Sequence, residues 1–117
     1  MTLRGSEPHA AALLDEARAR SIALLRRNLS PAGILAATPS ARAGARHYDT
    51  VFGRDAAICA LAMAESGEAD LVAGAVASLD TLARAQAANG QIPKFVHADA
   101  GRADCWYVGC SATTKGR

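Results

Sequence analysis

Apolar residues recur with helical spacing near the start of the chain. From His9 to Asn28 the positions Leu14, Ala17, Ser21, Leu24, Leu25 and Asn28 follow a period of about 3.6 residues, while Arg18, Arg20, Arg26 and Arg27 fall mostly on other faces. The pattern predicts a helix with Ser6 as its N-cap and Pro8 in its first turn. Ser30-Pro31 stops it, because proline disfavours the α conformation in the residue before it. Residues 31 to 54 lose the periodicity and are rich in Pro, Gly, Ala, Ser and Arg. They predict a loop ending in a short extended piece, His47-Tyr48-Asp49-Thr50-Val51-Phe52-Gly53-Arg54-Asp55.

A second helix is predicted from Asp55, with Ile58, Leu61 and Ala62 on one face, and it ends near Ser66-Gly67, where glycine suits a left-handed cap. The third helix carries the strongest pattern. Val72, Ala75, Val76, Leu79, Leu82, Ala83 and Gln86 stand at i, i+3, i+4, i+7, i+10, i+11 and i+14. Asn89-Gly90 terminates it, and Gln91-Ile92-Pro93-Lys94-Phe95-Val96 leaves as an extended segment because Pro93 forbids a helix. The second and third helices are joined by the short Ser66-Gly67-Glu68 link, which predicts an antiparallel αα-hairpin. No strand-helix alternation points to a doubly wound sheet. The predicted class is all-α.

Composition sharpens this picture. Half of the 117 residues are hydrophobic, but 29 of them are alanines, and Leu, Ile, Val and Phe together number only 22. Helix is well served, whereas a core built from this chain alone would be thin. Thirteen Lys and Arg against eleven Asp and Glu leave a net charge of +2, with no basic run beyond Arg26-Arg27. That balance leaves no electrostatic footprint for nucleic acid. No apolar run is long enough to span a membrane, and Glu7, Asp15 and Glu16 interrupt any secretory signal, so a cytoplasmic protein with three reduced cysteines is expected.

Three clusters could carry chemistry. Arg54-Asp55 sits where the extended piece enters a helix. Asp55 there serves either as an N-cap or first-turn carboxylate, or as one half of a carboxylate-guanidinium pair that grips vicinal hydroxyls of a sugar. Tyr48, Asp49 and Phe52 would add an apolar wall and another acceptor. Gln91, Lys94 and Phe95 offer an amide, an ammonium and an aromatic face, or simply pin the helix exit into the core. Asp104, Trp106 and Tyr107 combine a carboxylate with rings able to stack on sugars, or supply a large hydrophobic anchor. Cys105 and Cys110, with His97 upstream, make a poor metal signature, and no phosphate-binding glycine loop is present. Neither a metal nor a cofactor is expected.

The order of these segments resembles the front of the six-hairpin α/α-barrel glycosidases, and among them most the bacterial amylo-α-1,6-glucosidase, or glycogen-debranching, group. The resemblance rests on Tyr48-Asp49-Thr50-Val51-Phe52-Gly53-Arg54-Asp55, then Ser66-Gly67-Glu68, Gly90-Gln91-Ile92-Pro93-Lys94-Phe95, and Asp104-Cys105-Trp106-Tyr107-Val108-Gly109-Cys110. It spans roughly residues 46 to 110. It implies the opening hairpins of an incomplete (α/α)6 barrel over residues 1 to 110, followed by a non-matching, unstructured tail over 111 to 117. It also implies that Arg54, Asp55, Tyr48, Asp49, Gln91, Lys94, Trp106 and Tyr107 bind an α-glucan or oligosaccharide. In such enzymes the general acid and general base come from later hairpins, so no catalytic residue is expected here, and the chain alone would be inactive. After Gly109-Cys110 the family pattern would continue with an aspartate, where this sequence has Ser111-Ala112-Thr113-Thr114-Lys115-Gly116-Arg117, as a truncated product would. The competing expectation is a small helical interaction module that docks or self-associates through exposed apolar helix faces.

Overall fold

The computed structural model describes residues 7–99 and the backbone of residues 103 and 104. Helix α1 covers Glu7–Arg27, strands β1 and β2 cover Leu29–Ser30 and Gly33–Ile34, and helix α2 covers Ala41–Ala45. Strand β3 (Thr50–Phe52) runs directly into helix α3 (Gly53–Glu65), followed by helix α4 (Ala69–Arg84) and strands β4 (Phe95–His97) and β5 (Ala103–Asp104). The fold is therefore mostly helical. It is not purely all-α, because β1 pairs with β2 and the order β3-β4-β5 forms a second antiparallel sheet. Three-residue strands carry too little alternation to be distinguished from loop by pattern alone.

The predicted αα-hairpin is present as α3 and α4, turned by Gly67 at φ 76° as the left-handed cap expected there. Helix α2 falls inside the predicted loop. Its five residues are too few to show a period, and it is held instead by Ser40, whose side chain accepts a hydrogen bond from Ala43 N at 3.0 Å.

Helix α1 forms where the spacing predicts, with Pro8 in its first turn, but of the predicted apolar stripe only Leu25 packs against the core. Leu14 is 70% exposed, and residues 8–20 are exposed throughout. The packed side is Ile22 and Leu25, continued by Leu29 beyond the helix. Arg18 and Arg26 share that side, at i and i+8 with Ile22 at i+4. Arg18 donates to Ser66 O at 2.8 Å, while Arg26 grips Asp70 at 2.7 and 3.1 Å and Glu68 at 2.9 Å. Two charged anchors hid this face from a search for apolar periodicity.

The hairpin helices also turn their small residues inward. From α3 the core receives Ala56, Ala60 and Met63, and from α4 Leu71, Gly74, Ala75, Ser78 and Leu82. Ile58 and Leu61, which share a predicted apolar face with Ala62, are 64% and 72% exposed, and Val76 and Leu79 are exposed as well. Close approach explains the choice. A Cβ at Gly74 would stand 2.9 Å from Met63 Cε, and one at Gly33 would stand 2.7 Å from Ser78 N, so β2 lies almost on the backbone of α4. Gly33 has φ 125°, open to glycine and strained for other residues. The contact is sealed by Ser78 Oγ, which accepts from Ile34 N at 2.9 Å and donates to Gly74 O at 2.8 Å, and by Thr81 Oγ1 donating to Ala32 O at 2.6 Å. The β1–β2 hairpin thus straps across α4. Met63, Leu71, Val51 and Val96 fill the centre between the strap, the helices and the second sheet.

Candidate functional site

Strand β3 hands over to α3 with no intervening loop, which aims the first turn of α3 at the segment before β4. Gly53 N donates to Lys94 O at 2.9 Å, and a Cβ at Gly53 would meet Pro93 O at the same distance. Only a residue without a side chain lets the two segments close this tightly. The contact sets Arg54 and Asp55 beside Lys94. The register Phe52↔Phe95 brings two aromatic residues together across the strands.

The result is an open cleft of about 720 Å³ lined by Ala36, Arg46, His47, Tyr48, Phe52, Arg54, Asp55, Lys94 and Phe95. Its floor is aromatic. Phe52 and Phe95 stack with centroids 5.3 Å apart, His47 stacks on Phe95 at 5.8 Å with planes 11° apart, and Tyr48 meets Phe52 edge-on at 5.9 Å. His97 stands edge-on to Phe95 at 5.4 Å and to His47 at 5.9 Å. Phe95 is itself buried, so the pinning role considered for it is present alongside its place in the cleft wall.

The turn that presents His47 is tightly built. His47 has φ 59°, in the left-handed region that a non-glycine residue enters at a cost. Thr50 Oγ1 donates to His47 O at 2.5 Å, His47 N donates to Gly44 O at 3.1 Å, and Tyr48 N donates to Ala43 O at 2.8 Å. The short helix α2 is thus the platform for the cleft's aromatic rim.

Asp55 lies in the first turn of α3. The N-cap position belongs to Phe52, which makes no side-chain capping bond, so the N-cap alternative for Asp55 is corrected to first-turn carboxylate. Its carboxylate faces the Arg54 guanidinium at 3.6 Å, with Arg54 82% and Asp55 46% exposed. A loose, wet pair of this kind contributes little to stability and leaves both groups available. Four residues on, the half-buried Cys59 thiol is pushed up by burial, with the negative charge of Asp55 adding to it, which keeps it protonated and weakly nucleophilic at neutral pH.

Of the residues singled out from sequence, Tyr48, Arg54, Asp55 and Lys94 converge on this cleft, together with Phe52 and Phe95. Asp49 turns toward α2, where its Oδ2 lies 3.4 Å from the Cβ position of Gly44, and it does not line the cleft. Gln91 does not line it either. Its backbone is spent on the turn after α4, with Gln91 O accepting from Ala87 N at 2.9 Å and Gln91 N donating to Asn89 Oδ1 at 3.0 Å. Trp106 and Tyr107 lie outside the described residues, as does Ser6. Three lining residues were not singled out from sequence: Ala36, Arg46 and His47. The only signal for Arg46 and His47 was position, immediately before Tyr48, since a left-handed backbone at a histidine leaves no trace in composition.

Among the described residues no group of three His, Cys, Asp or Glu side chains could hold a metal ion, and no helix is long and apolar enough to cross a membrane. Comparison with known proteins finds no matching family model, no matching curated protein and no matching solved structure.

Proposed function

We propose that the cleft binds carbohydrate, an α-glucan or oligosaccharide end, as the substrate-binding part of a glycoside hydrolase of the amylo-α-1,6-glucosidase type. The supporting observation is the convergence of Arg54, Asp55, Lys94 and Tyr48 on one aromatic-floored cleft, from segments about forty residues apart in sequence. Hexoses present hydroxyls that both donate and accept, and C–H faces that lie against rings. The cleft offers an acceptor in Asp55, donors in Arg54 and Lys94, and rings in Phe52 and Tyr48.

Glycoside hydrolysis needs two carboxyl groups across the scissile bond. Asp55 is the one carboxylate among the described residues lining the cleft, so binding without turnover is the expected behaviour of this chain. Calorimetric titration with maltotetraose, alongside an assay for released glucose, tests the reading. Heat of binding that disappears in Asp55→Asn and Arg54→Ala, with no glucose released, supports it. Absence of binding, or binding untouched by both substitutions, overturns it.

A second reading has its own observation. Ala57, Ala60, Leu61, Ala64, Val72, Ala75, Val76 and Leu79 line a groove of about 440 Å³ on the outer side of the α3–α4 hairpin. Such a face suits a helical interaction module. Sedimentation over a wide range of protein concentration decides whether the face pairs with itself.

A further inference from the structure

The charges lining the cleft are unbalanced. Arg46, Arg54 and Lys94 supply three cations, and Asp55 is the single anion among the described residues facing them. Asp55 is loosely paired with Arg54, while neither Arg46 nor Lys94 has an ion-pair partner among the described residues. Elsewhere the arginines with ion-pair partners are matched closely, Arg26 with Asp70 and Glu68, Arg20 with Glu16, Arg84 with Asp80. The cleft thus concentrates a surplus of two positive charges, as large as the formal net charge of the entire 117-residue chain. Like charges gathered in a concavity repel one another and raise the local concentration of anions. The amino end of α3, a thirteen-residue helix, opens into the same space through Arg54 and Asp55 and adds the positive end of its dipole.

A neutral hexose uses this arrangement poorly. Its hydroxyls can be satisfied by Asp55 and one cation, which leaves two further cations lining the cleft without a counter-charge. A ligand with an anionic substituent uses all of it. Arginine offers a planar fork to a phosphate or carboxylate, and lysine adds a point charge.

We infer that the cleft takes an anionic sugar, a hexose unit bearing a phosphate or a carboxylate, with its anionic group among Arg46, Arg54 and Lys94 and its ring against Phe52 and Tyr48. Asp55 then serves as acceptor for the ring hydroxyls. The inference rests on the carbohydrate-binding reading and narrows its substrate class.

Isothermal titration of the full chain at fixed ionic strength with glucose, glucose 6-phosphate, glucuronate and inorganic phosphate separates the two. The expected result is that one of the charged sugars binds at least about tenfold more tightly than glucose and than inorganic phosphate. Arg46→Gln, exposed and without an ion-pair partner among the described residues, should weaken that ligand severalfold and leave glucose unchanged, with the circular dichroism spectrum intact, while Lys94→Gln should weaken the charged ligand more than it weakens glucose. Equal affinity for glucose and both charged sugars overturns this inference while the carbohydrate reading stands. Inorganic phosphate binding as tightly as the charged sugars overturns this inference, since the ring would contribute nothing to it. No binding of any sugar overturns both.

Discussion

The two sides of the α3–α4 hairpin contain similar residue types and have opposite fates. The inner side carries Met63 and Leu71, both fully buried, among Ala56, Gly74 and Ser78, with Ala60 and Ala75 buried at the seam between the two helices. The outer side carries Ile58, Leu61, Val76 and Leu79, each more than half exposed. Counting apolar residues would rank the outer side as the core. What separates them is access: glycine, alanine and serine on the inner side let the β1–β2 strap and β3 approach the helix axes, and the few large residues there fill the remaining space completely. Large side chains on the outer side hold any neighbour farther off. Hydrophobicity supplies the drive, but small residues decide which face closes first.

Substitutions on the two sides should therefore differ sharply. The largest effect is expected from Gly33→Ala, which forces a side chain into a positive-φ site against the Ser78 backbone. Strain of about 1–3 kcal/mol combines with overpacking of about 1–3 kcal/mol, enough to abolish a cooperative thermal transition in a small domain. Met63→Ala comes next at about 2–5 kcal/mol, measured by urea denaturation, while Leu61→Lys on the outer side should stay within about 0.5 kcal/mol. If Leu61→Lys costs as much as Met63→Ala, the outer face is covered in solution and the contrast collapses. Ser78→Ala sharpens the comparison from the polar side. It leaves the buried Ile34 N–H without its acceptor, at about 1–3 kcal/mol, and should raise amide exchange at Ile34 first.

The smallest effect lies outside both faces, at the Arg26 cluster. Hydrogen bonds from Arg26 hold the Asp70 carboxyl below its ordinary range, so its contribution is complete at neutral pH and fades as pH falls through the depressed value. Asp70→Asn should flatten only the acid end of the stability-pH curve, and modestly, because the pair is exposed. A flattening near neutral pH would instead implicate a different group.

The positions of α1, α3 and α4 were legible because each runs for three turns or more, although α4 ends at Arg84, short of Gln86 and of the predicted Asn89-Gly90 stop, and the turn at Gly67 was legible because a left-handed residue between helices favours glycine. Which face of each helix packs was legible only in part: Leu25 of α1 and Ala75 and Leu82 of α4 lie on the predicted stripes and are packed, whereas most of the larger side chains on those stripes are exposed. In α1 the buried side is marked by Arg18 and Arg26, whose partners Ser66, Glu68 and Asp70 lie more than forty residues away. In α3 and α4 it is marked by alanine and glycine, which hydrophobic periodicity weights lightly. For the cleft, the segments carrying Tyr48, Arg54, Asp55 and Lys94 were identified by their polar and aromatic types. Their convergence depends on the Gly53–Lys94 contact and the β3–β4 register, both non-local. Asp49 and Gln91 show the converse: residues of suitable chemistry, one and three positions from lining residues, do not line the cleft.

Helix α1 is anchored over only part of its length, and this gives it two clocks. From Arg18 to Arg27 its backbone is tied to the turn before α4 and to the core through Ile22 and Leu25, so its amides should exchange with solvent only when that docking opens. From Glu7 to Ala17 it has intrahelical hydrogen bonds but no buried side chain among residues 8–17, and a helical stretch of that length is marginal in water on its own. Deuterium should enter this front half by fraying, residue by residue, well before it enters the rear. The boundary between fast and slow exchange will then mark, on a time axis, where the first helix begins to belong to the rest of the molecule.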